Sequence, residues 1–452
     1  MSGEGSVSTG VANLDMVLSG GFRPKSVILV SGNPGLGKTI FSTQFLLAGT
    51  RIGERGLYVS FTERKEDYYT NMETLGLDVN DPGEKGLFKF IDFPTLDEEG
   101  MKEAADVVTK EIMDYQPRRL VVDSISAFTQ SMSKAETRQF LHVLFGRILK
   151  DLDVTTLLIG EIQLGESKTG FGVEEFIADG VILLKYSRTG KTEKREMEIP
   201  KMRGVPVIKS SYEYTIDKRY GGIGLIVLPI QAPIEEMPKE KITTGVKGLD
   251  KMLIGGVYRG SITLVEGETG IGKTTLCAQF LIENARRGER SLFLSFEEPV
   301  GQIRRQLDGL KFNYRELDGL IIESYVPKAL TPLHYYGLVK EAVDDINPTV
   351  LAIDSITAIK HTLKEDDFIE FIRYLQLLSK EKSLTVFLTA LIKQNSSVMG
   401  ISTLADNVIV MTYYQIKDRI SREISVMKTR GSPHERRVME FQITDHGIFV
   451  SD

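Results

Sequence analysis

Gly267-Glu268-Thr269-Gly270-Ile271-Gly272-Lys273-Thr274 decides the fold, and the chain carries its counterpart a second time as Gly32-Asn33-Pro34-Gly35-Leu36-Gly37-Lys38-Thr39. Both stretches fit G-x-x-x-x-G-K-[ST]. In that pattern glycines let backbone N–H groups curl around phosphate oxygens, the lysine reaches the outer phosphates and the hydroxyl ligates Mg²⁺. The flanks agree. Apolar strand-like runs precede the loops (Val27 to Val30, Ile262 to Val265) and helical patterns follow (Phe41 to Ala48, Leu276 to Ala285). Each loop therefore opens a helix whose N-terminus faces the anion. Two such loops predict two nucleotide sites, with ATP and Mg²⁺ as cofactors and every loop residue a candidate contact.

The repetition extends past the loops. Ser8-Thr9-Gly10-Val11 returns as Thr243-Thr244-Gly245-Val246, Leu14-Asp15 as Leu249-Asp250, Gly20-Gly21 as Gly255-Gly256, and Gly53-Glu54-Arg55 as Gly288-Glu289-Arg290. An unbroken register of this kind means two copies of one domain. Between them, Pro229 to Lys241 is rich in proline and charge and lacks core periodicity, as a short, semi-stiff linker would. The expected domains are 1–234 and 235–452, each of ordinary size. Alternating strand and helix signals predict an α/β class for both, a mostly parallel sheet flanked by helices, with a helix from Ala135 to Leu152 and a strand from Thr155 to Ile159.

Composition mainly excludes. A formal net charge of −6 argues against a protein built to coat nucleic acid or anionic membrane. No apolar run is long enough to span a bilayer and no leader-like start is present, so the expected location is cytoplasmic. One cysteine, Cys277, rules out disulfides and thiolate zinc sites, and the 5 histidines show no paired ligand spacing.

A phosphate loop alone predicts binding; hydrolysis needs a carboxylate to hold the Mg²⁺ hydration shell and a base for the attacking oxygen. Arg119-Leu120-Val121-Val122-Asp123-Ser124-Ile125 and Val350-Leu351-Ala352-Ile353-Asp354-Ser355-Ile356 each read as a buried parallel strand ending in aspartate at the ligand crevice. Asp123 and Asp354 thus join Thr39 and Thr274 as metal candidates. Leu292-Phe293-Leu294-Ser295-Phe296-Glu297-Glu298 sets two carboxylates at another strand tip, whereas the first copy reads Leu57-Tyr58-Val59-Ser60-Phe61-Thr62-Glu63. Thr62 stands where Glu297 stands, and Glu63 is the only carboxylate left there. Glu297 and Glu298 are candidate catalytic groups, Glu297 also a metal candidate, and Glu63 the alternative in the first half.

These segments, with the late Lys201-Met202-Arg203-Gly204 and Lys428-Thr429-Arg430-Gly431, resemble over nearly the whole chain the KaiC family, RecA-like ATPases of the cyanobacterial clock. The resemblance implies that Glu297 is the base of the second domain. It also implies that Lys201, Arg203, Lys428 and Arg430 reach a neighbouring subunit's nucleotide, where such cations stabilise charge on the transferring phosphoryl group. Gly400-Ile401-Ser402-Thr403-Leu404-Ala405-Asp406 resembles the family's Ile-Ser-Thr segment, which implies self-phosphorylation on Ser402 and Thr403; Val173 to Asp179 has no hydroxyl at that place. Cations supplied in trans imply a homo-hexamer stacked as two tiers, although an open filament uses the same heterologous contact. The sequence ends soon after Thr444-Asp445-His446-Gly447, from which the absence of the family's regulatory tail is expected, and the first half lacks the first glutamate. The expectation is a KaiC-like ATPase outside the clock proper.

Two function classes follow: a slow ATPase that phosphorylates itself, or an ATP-gated scaffold whose hydrolysis only resets the capture of an unidentified protein partner. A DNA motor is disfavoured by the charge and by the segments Gly165 to Gly170 and Lys393 to Ser397, which carry few cations and no aromatic residue for base stacking.

Overall fold

The computed structural model describes residues 5–93, 98–126, 152–161, 178–189, 192–207, 211–228, 238–328, 330–392, 401–416 and 418–451. The chain forms two compact units, Met1–Val227 and Leu228–Asp452. The boundary expected at 234/235 lies outside the described residues, as do the segments Gly165 to Gly170 and Lys393 to Ser397 and all but the last residue of the helix expected from Ala135 to Leu152.

In the first unit β1 (Val27–Gly32), β2 (Gly56–Ser60), β3 (Phe88–Asp92), β4 (Arg119–Asp123), β5 (Thr155–Glu161) and β6 (Gly180–Thr189) are parallel, in the order β3-β2-β4-β5-β1-β6. Antiparallel strands β7 (Thr192–Met202), β8 (Ser211–Asp217) and β9 (Gly222–Leu225) extend the sheet beyond β6. In the second unit β10 (Lys241–Ile242) and β11 (Val257–Tyr258) form a two-stranded ribbon. The second sheet repeats the first with β12 (Ile262–Gly267), β13 (Ser291–Ser295), β14 (Leu320–Ser324), β15 (Val350–Asp354), β16 (Thr385–Leu391) and β17 (Asn407–Ile416) as its parallel part. Strands β18 (Arg419–Thr429), β19 (Met439–Thr444) and β20 (Gly447–Val450) form its antiparallel wing.

Every residue of β1, β2 and β4, and of β12, β13 and β15, is buried, because helices cover both faces of a parallel sheet. That is why these segments are predominantly apolar and do not alternate with polar residues as a half-solvated strand would. The wings are half-solvated: β8 alternates buried with partly exposed positions over its first four residues. Sequence analysis did not foresee them, since short alternating runs among charged residues give a weak signal.

The wings reach the phosphate loops. Each loop turns into its helix (Lys38–Thr50, Lys273–Arg286) through a glycine in left-handed conformation, Gly37 at φ 91° and Gly272 at φ 120°. A Cβ at Gly37 would stand 3.0 Å from Ile216 Cδ1 of β8, and one at Gly272 2.7 Å from Ile443 Cδ1 of β19. Glycine is therefore favoured there by conformation, and a Cβ would also press on these methyl groups. The helices bury Phe41, Phe45 and Leu46, and Leu276, Phe280 and Leu281, against the sheets. Each such side chain stabilises its unit by roughly 1.5–3 kcal/mol.

The repeated N-terminal motif is explained by one aspartate. Asp15 Oδ1 accepts from the N–H and hydroxyl of Thr9 (2.7 and 2.6 Å), and Asp250 Oδ1 accepts from the same groups of Thr244 (2.7 and 2.6 Å). The repeated glutamate is held differently in each half. Glu54 pairs at 2.6 Å with Arg119 of β4, a fully buried guanidinium that also donates to the carbonyls of Ser8 and Phe45, both at 2.7 Å. Glu289 pairs instead at 2.7 Å with Arg259, which precedes β12. Pro24 and Val350 occupy the positions matching Arg259 and Arg119.

Candidate functional site

Both loops emerge at the C-terminal end of the central strand of their sheet, the edge where ligands bind in doubly wound folds. In the second unit Lys273 Nζ donates to the carbonyls of Gly267 and Glu268 (both 2.9 Å), and in the first Lys38 Nζ donates to those of Gly32 (2.8 Å) and Asn33 (3.1 Å). Burial lowers the pKa of both lysines, opposed by Asp123 for Lys38 and by Asp354 for Lys273. In the second unit a cavity of about 350 Å³ opens over the loop, walled by Lys273, Thr274, Glu297, Glu298, Asp354 and Ser355.

Strand pairing sets Ser295 beside Asp354 and Ser60 beside Asp123, which brings the two strand ends together in each unit. β13 stops at Ser295, so Glu297 and Glu298 lie on the turn beyond the strand and not at its tip. Ser295 Oγ builds that turn by accepting from both their N–H groups (3.3 and 2.9 Å), and Ser60 Oγ does the same for Thr62 and Glu63 (3.4 and 2.9 Å). The side chains then diverge. Glu297 Oε2 accepts from Ser355 Oγ at 2.7 Å, whereas Glu298 Oε2 turns away to Gln306 Nε2 at 2.7 Å. Glu63 Oε1 accepts from Asn71 Nδ2 at 2.6 Å, so it takes the place of Glu298, not that of Glu297.

The metal candidates meet in both units but not equally. Thr274 Oγ1 donates to Asp354 Oδ2 at 2.7 Å, and Thr389 of β16 donates to Asp354 Oδ1. Thr39 Oγ1 stands 3.5 Å from Asp123 Oδ2, which accepts instead from the buried Tyr58 at 2.6 Å. Burial raises the pKa of both aspartates, opposed by Tyr58 at Asp123 and by Thr389 and Thr274 at Asp354. A hydroxyl and a carboxylate beside a phosphate loop are a hard-oxygen donor set that fits Mg²⁺ carrying phosphate oxygens and water. Among the described residues none but its chain neighbours comes within 4 Å of the position a Cβ would take at Gly35, which leaves room for a phosphate. The residues present thus fit Mg·ATP.

The late cations lie elsewhere in their own chain. Lys428 Nζ donates to the carbonyls of Ser402 (2.8 Å) and Ala405 (2.7 Å), and Arg430 bonds the Thr403 carbonyl and stands 3.5 Å from Asp406. Lys201 Nζ donates to the Ala178 carbonyl at 2.7 Å, and Arg203 pairs with Asp179 at 3.3 Å. Asp179 and Asp406 in turn accept from the N–H groups of Val27 and Ile262, where β1 and β12 begin. All four cations therefore sit at the opposite end of the central strand from the loop, about 15–20 Å away by strand rise. Ser402 and Thr403, on the short helix Ile401–Leu404, share that distant end.

Sequence reasoning missed Ser355, Tyr58, Thr389, Asn71 and Gln306. Ser355 was signalled by the repeated Asp-Ser at both strand ends, and Tyr58 by the single hydroxyl that separates it from Phe293 at the matching position. Thr389 gave no local signal, because its partner lies on another strand.

The family model described as KaiC ATPase matches residues 7–229 and 242–452. The circadian clock oscillator protein KaiC of Thermostichus vulcanus is 31% identical over 467 aligned residues, covering 99% of this chain and 89% of that protein. The protein of the same name from Synechococcus elongatus is 30% identical over 466 residues, with 98% and 88% covered. Circadian clock oscillator protein KaiC 1 of Synechocystis is 29% identical over 465 residues, with 99% and 89% covered. Two matched ATPase domains, spanning the two sheets and both phosphate loops, place the chain in the KaiC ATPase family.

Proposed function

We propose that this chain binds Mg·ATP at both loops and hydrolyses it slowly, mainly at the second. Lys38 and Lys273 would hold the outer phosphates, and Thr39 and Thr274 with Asp123 and Asp354 would hold Mg²⁺, which when bound would supply the positive charge that polarises the phosphates. Glu297 accepts the proton of the attacking water. The observation that carries this reading is the placement of Glu297: its carboxylate is in the cavity wall with Lys273, Thr274 and Asp354, and Ser355 fixes one of its oxygens. Thr62 offers no such acceptor at neutral pH, so the first site holds nucleotide longer.

Assembly follows from the position of the cations. Lys201, Arg203, Lys428 and Arg430 are too far from their own loops to touch a bound phosphate, so their charge serves a neighbouring copy or no copy at all. We take head-to-tail contact of this kind to close into a ring, a two-tiered homo-hexamer, and not into an open filament. Ser402 and Thr403 are likewise beyond reach of their own chain's site, and phosphate reaches them from the adjacent subunit, with the Glu297 of that subunit taking the hydroxyl proton. We place the protein in the cytoplasm; among the described residues no helix is long and apolar enough to cross a membrane. The slow first site favours a second role, a platform whose nucleotide state governs the binding of a protein partner.

Phosphate release by Glu297→Gln and Glu63→Gln tests the assignment. Glu297→Gln should remove most turnover and Glu63→Gln little. The reverse result makes the first unit the principal ATPase and overturns the reading.

A further inference from the structure

In both units the strand-end aspartate is oriented by a neighbouring hydroxyl, but the two hydroxyls take different oxygens. Thr389 occupies Asp354 Oδ1, which leaves Oδ2 turned to Thr274 at 2.7 Å. In the first unit Ile159 stands beside Asp123 where Thr389 stands in the second, and it has no hydroxyl to give. Tyr58 supplies one from the other neighbouring strand, and it bonds Oδ2, the oxygen that faces Thr39. The Thr39 hydroxyl is left at 3.5 Å, beyond good hydrogen-bonding range.

Tyr58 is not free to swing aside. Its ring is 1% exposed, stacks on Phe90 (5.1 Å between centroids) and leans on Tyr68 (4.9 Å), whose own hydroxyl is tied to Thr43 at 2.7 Å. The second unit has Phe293, Ile303 and Ala278 at the positions matching Tyr58, Tyr68 and Thr43, so this hydroxyl network belongs to the first unit alone.

We propose that Tyr58 is a positioning residue that engages the metal-facing oxygen of Asp123 and so weakens the hold of the first site on a divalent cation relative to the second. The inference rests on the reading that both loops bind Mg·ATP. An oxygen that already accepts a strong hydrogen bond is a poorer acceptor for a metal-bound water, and the fixed ring prevents the carboxylate from presenting its oxygens as Asp354 does. The first site then retains nucleotide with less dependence on the cation, which suits a platform better than an engine.

The test uses Mn²⁺ as the probe, titrated by electron paramagnetic resonance into the full-length protein with a non-hydrolysable ATP analogue. Lys273→Ala silences the second site, and the unmodified chain, with two classes of site, serves as the parallel measurement. Tyr58→Phe deletes one oxygen from a packed ring and should tighten Mn²⁺ at the first site about three- to tenfold, the scale of one net hydrogen bond. Tyr58→Phe with Ile159→Thr, which recreates the arrangement of the second unit, should bring the two classes together. Analogue affinity in the presence of chelator should stay unchanged, whereas a merely structural tyrosine would shift it as well. Unchanged or weaker Mn²⁺ binding in Tyr58→Phe overturns the inference while leaving the two-site reading intact. No nucleotide-dependent Mn²⁺ binding in the unmodified chain overturns both.

Discussion

Thr62→Glu should convert the first site from a holder of nucleotide into a hydrolase. The backbone turn is already in place: Ser60 Oγ accepts from the N–H groups of residues 62 and 63 just as Ser295 Oγ does from those of 297 and 298. Ser124 follows Asp123 as Ser355 follows Asp354, so a hydroxyl of the same kind stands beside the new carboxylate. A well-placed general base is worth about 10² to 10⁴ in rate, roughly 3 to 5 kcal/mol of barrier. A grafted side chain that rests about 1 Å from the best position forfeits up to about 10² of this. With the upper value of the base and the full forfeit the expected gain is about 10²-fold, and it should appear in kcat with little change in KM. The assay is phosphate release at saturating ATP and Mg²⁺ by chains that carry Lys273→Ala, with Thr62→Gln as the control of equal size. If Thr62→Glu binds nucleotide yet turns over no faster than Thr62→Gln, a missing base is not what slows the first site, and Glu297 loses its assigned role.

Further outcomes follow from the same geometry. Arg430→Ala should lower kcat of the second site far more than its affinity for nucleotide in steady-state assays, since its charge acts as the phosphoryl group departs. Light scattering should show a larger assembly with Mg·ATP than without it if, as proposed, nucleotide bound by one copy is contacted by the cations of the next; an unchanged size in both conditions would refute that proposal. Mass spectrometry after incubation with Mg·ATP should find phosphate on Ser402 or Thr403; label confined to other residues would refute that assignment. Arg119→Met should destabilise the first unit by about 3 kcal/mol or more and leave the second unchanged, because it strips a buried ion pair and abandons two buried carbonyls. Hydrogen-exchange mass spectrometry in rising urea resolves the two units and measures both.

Much of this was legible in the chain. The loops, the buried strands and the aspartates that end them announce themselves because each is a short contiguous pattern whose chemistry depends on backbone it carries with it. The duplication sharpened every one, since Thr62 means little until it is aligned with Glu297. What stayed hidden is non-local. Thr389 and Tyr58 act on aspartates from neighbouring strands, and nothing in their own flanks says which oxygen they take. The antiparallel wings escaped because β8 and β18 mix partly exposed with buried positions, and they reach the site through scattered side chains: methyl groups of Ile216 and Ile443 over Gly37 and Gly272, and the Tyr214 hydroxyl that donates to the Leu36 carbonyl at 2.8 Å. The late cations were visible as residues, but only the strand order shows that each lies at the wrong end of its own sheet to serve its own loop.

The exchange of partners around the repeated glutamate limits how interchangeable the two halves are. Glu54 depends on a cation that comes later in its domain, Arg119, while Glu289 depends on one that comes earlier, Arg259. Recombination between the copies at a point after the glutamate and before β4 or β15 would give one product with neither arginine and another with both. The first strands a carboxylate; the second brings two guanidinium groups to one glutamate, with Arg119 already sealed from water and Arg259 left to its other partner, Glu240. Each copy has thus become the keeper of its own solution, and gene conversion between halves that share the glycines, lysine and threonine of the phosphate loop would be filtered out by a pair of side chains far from the chemistry.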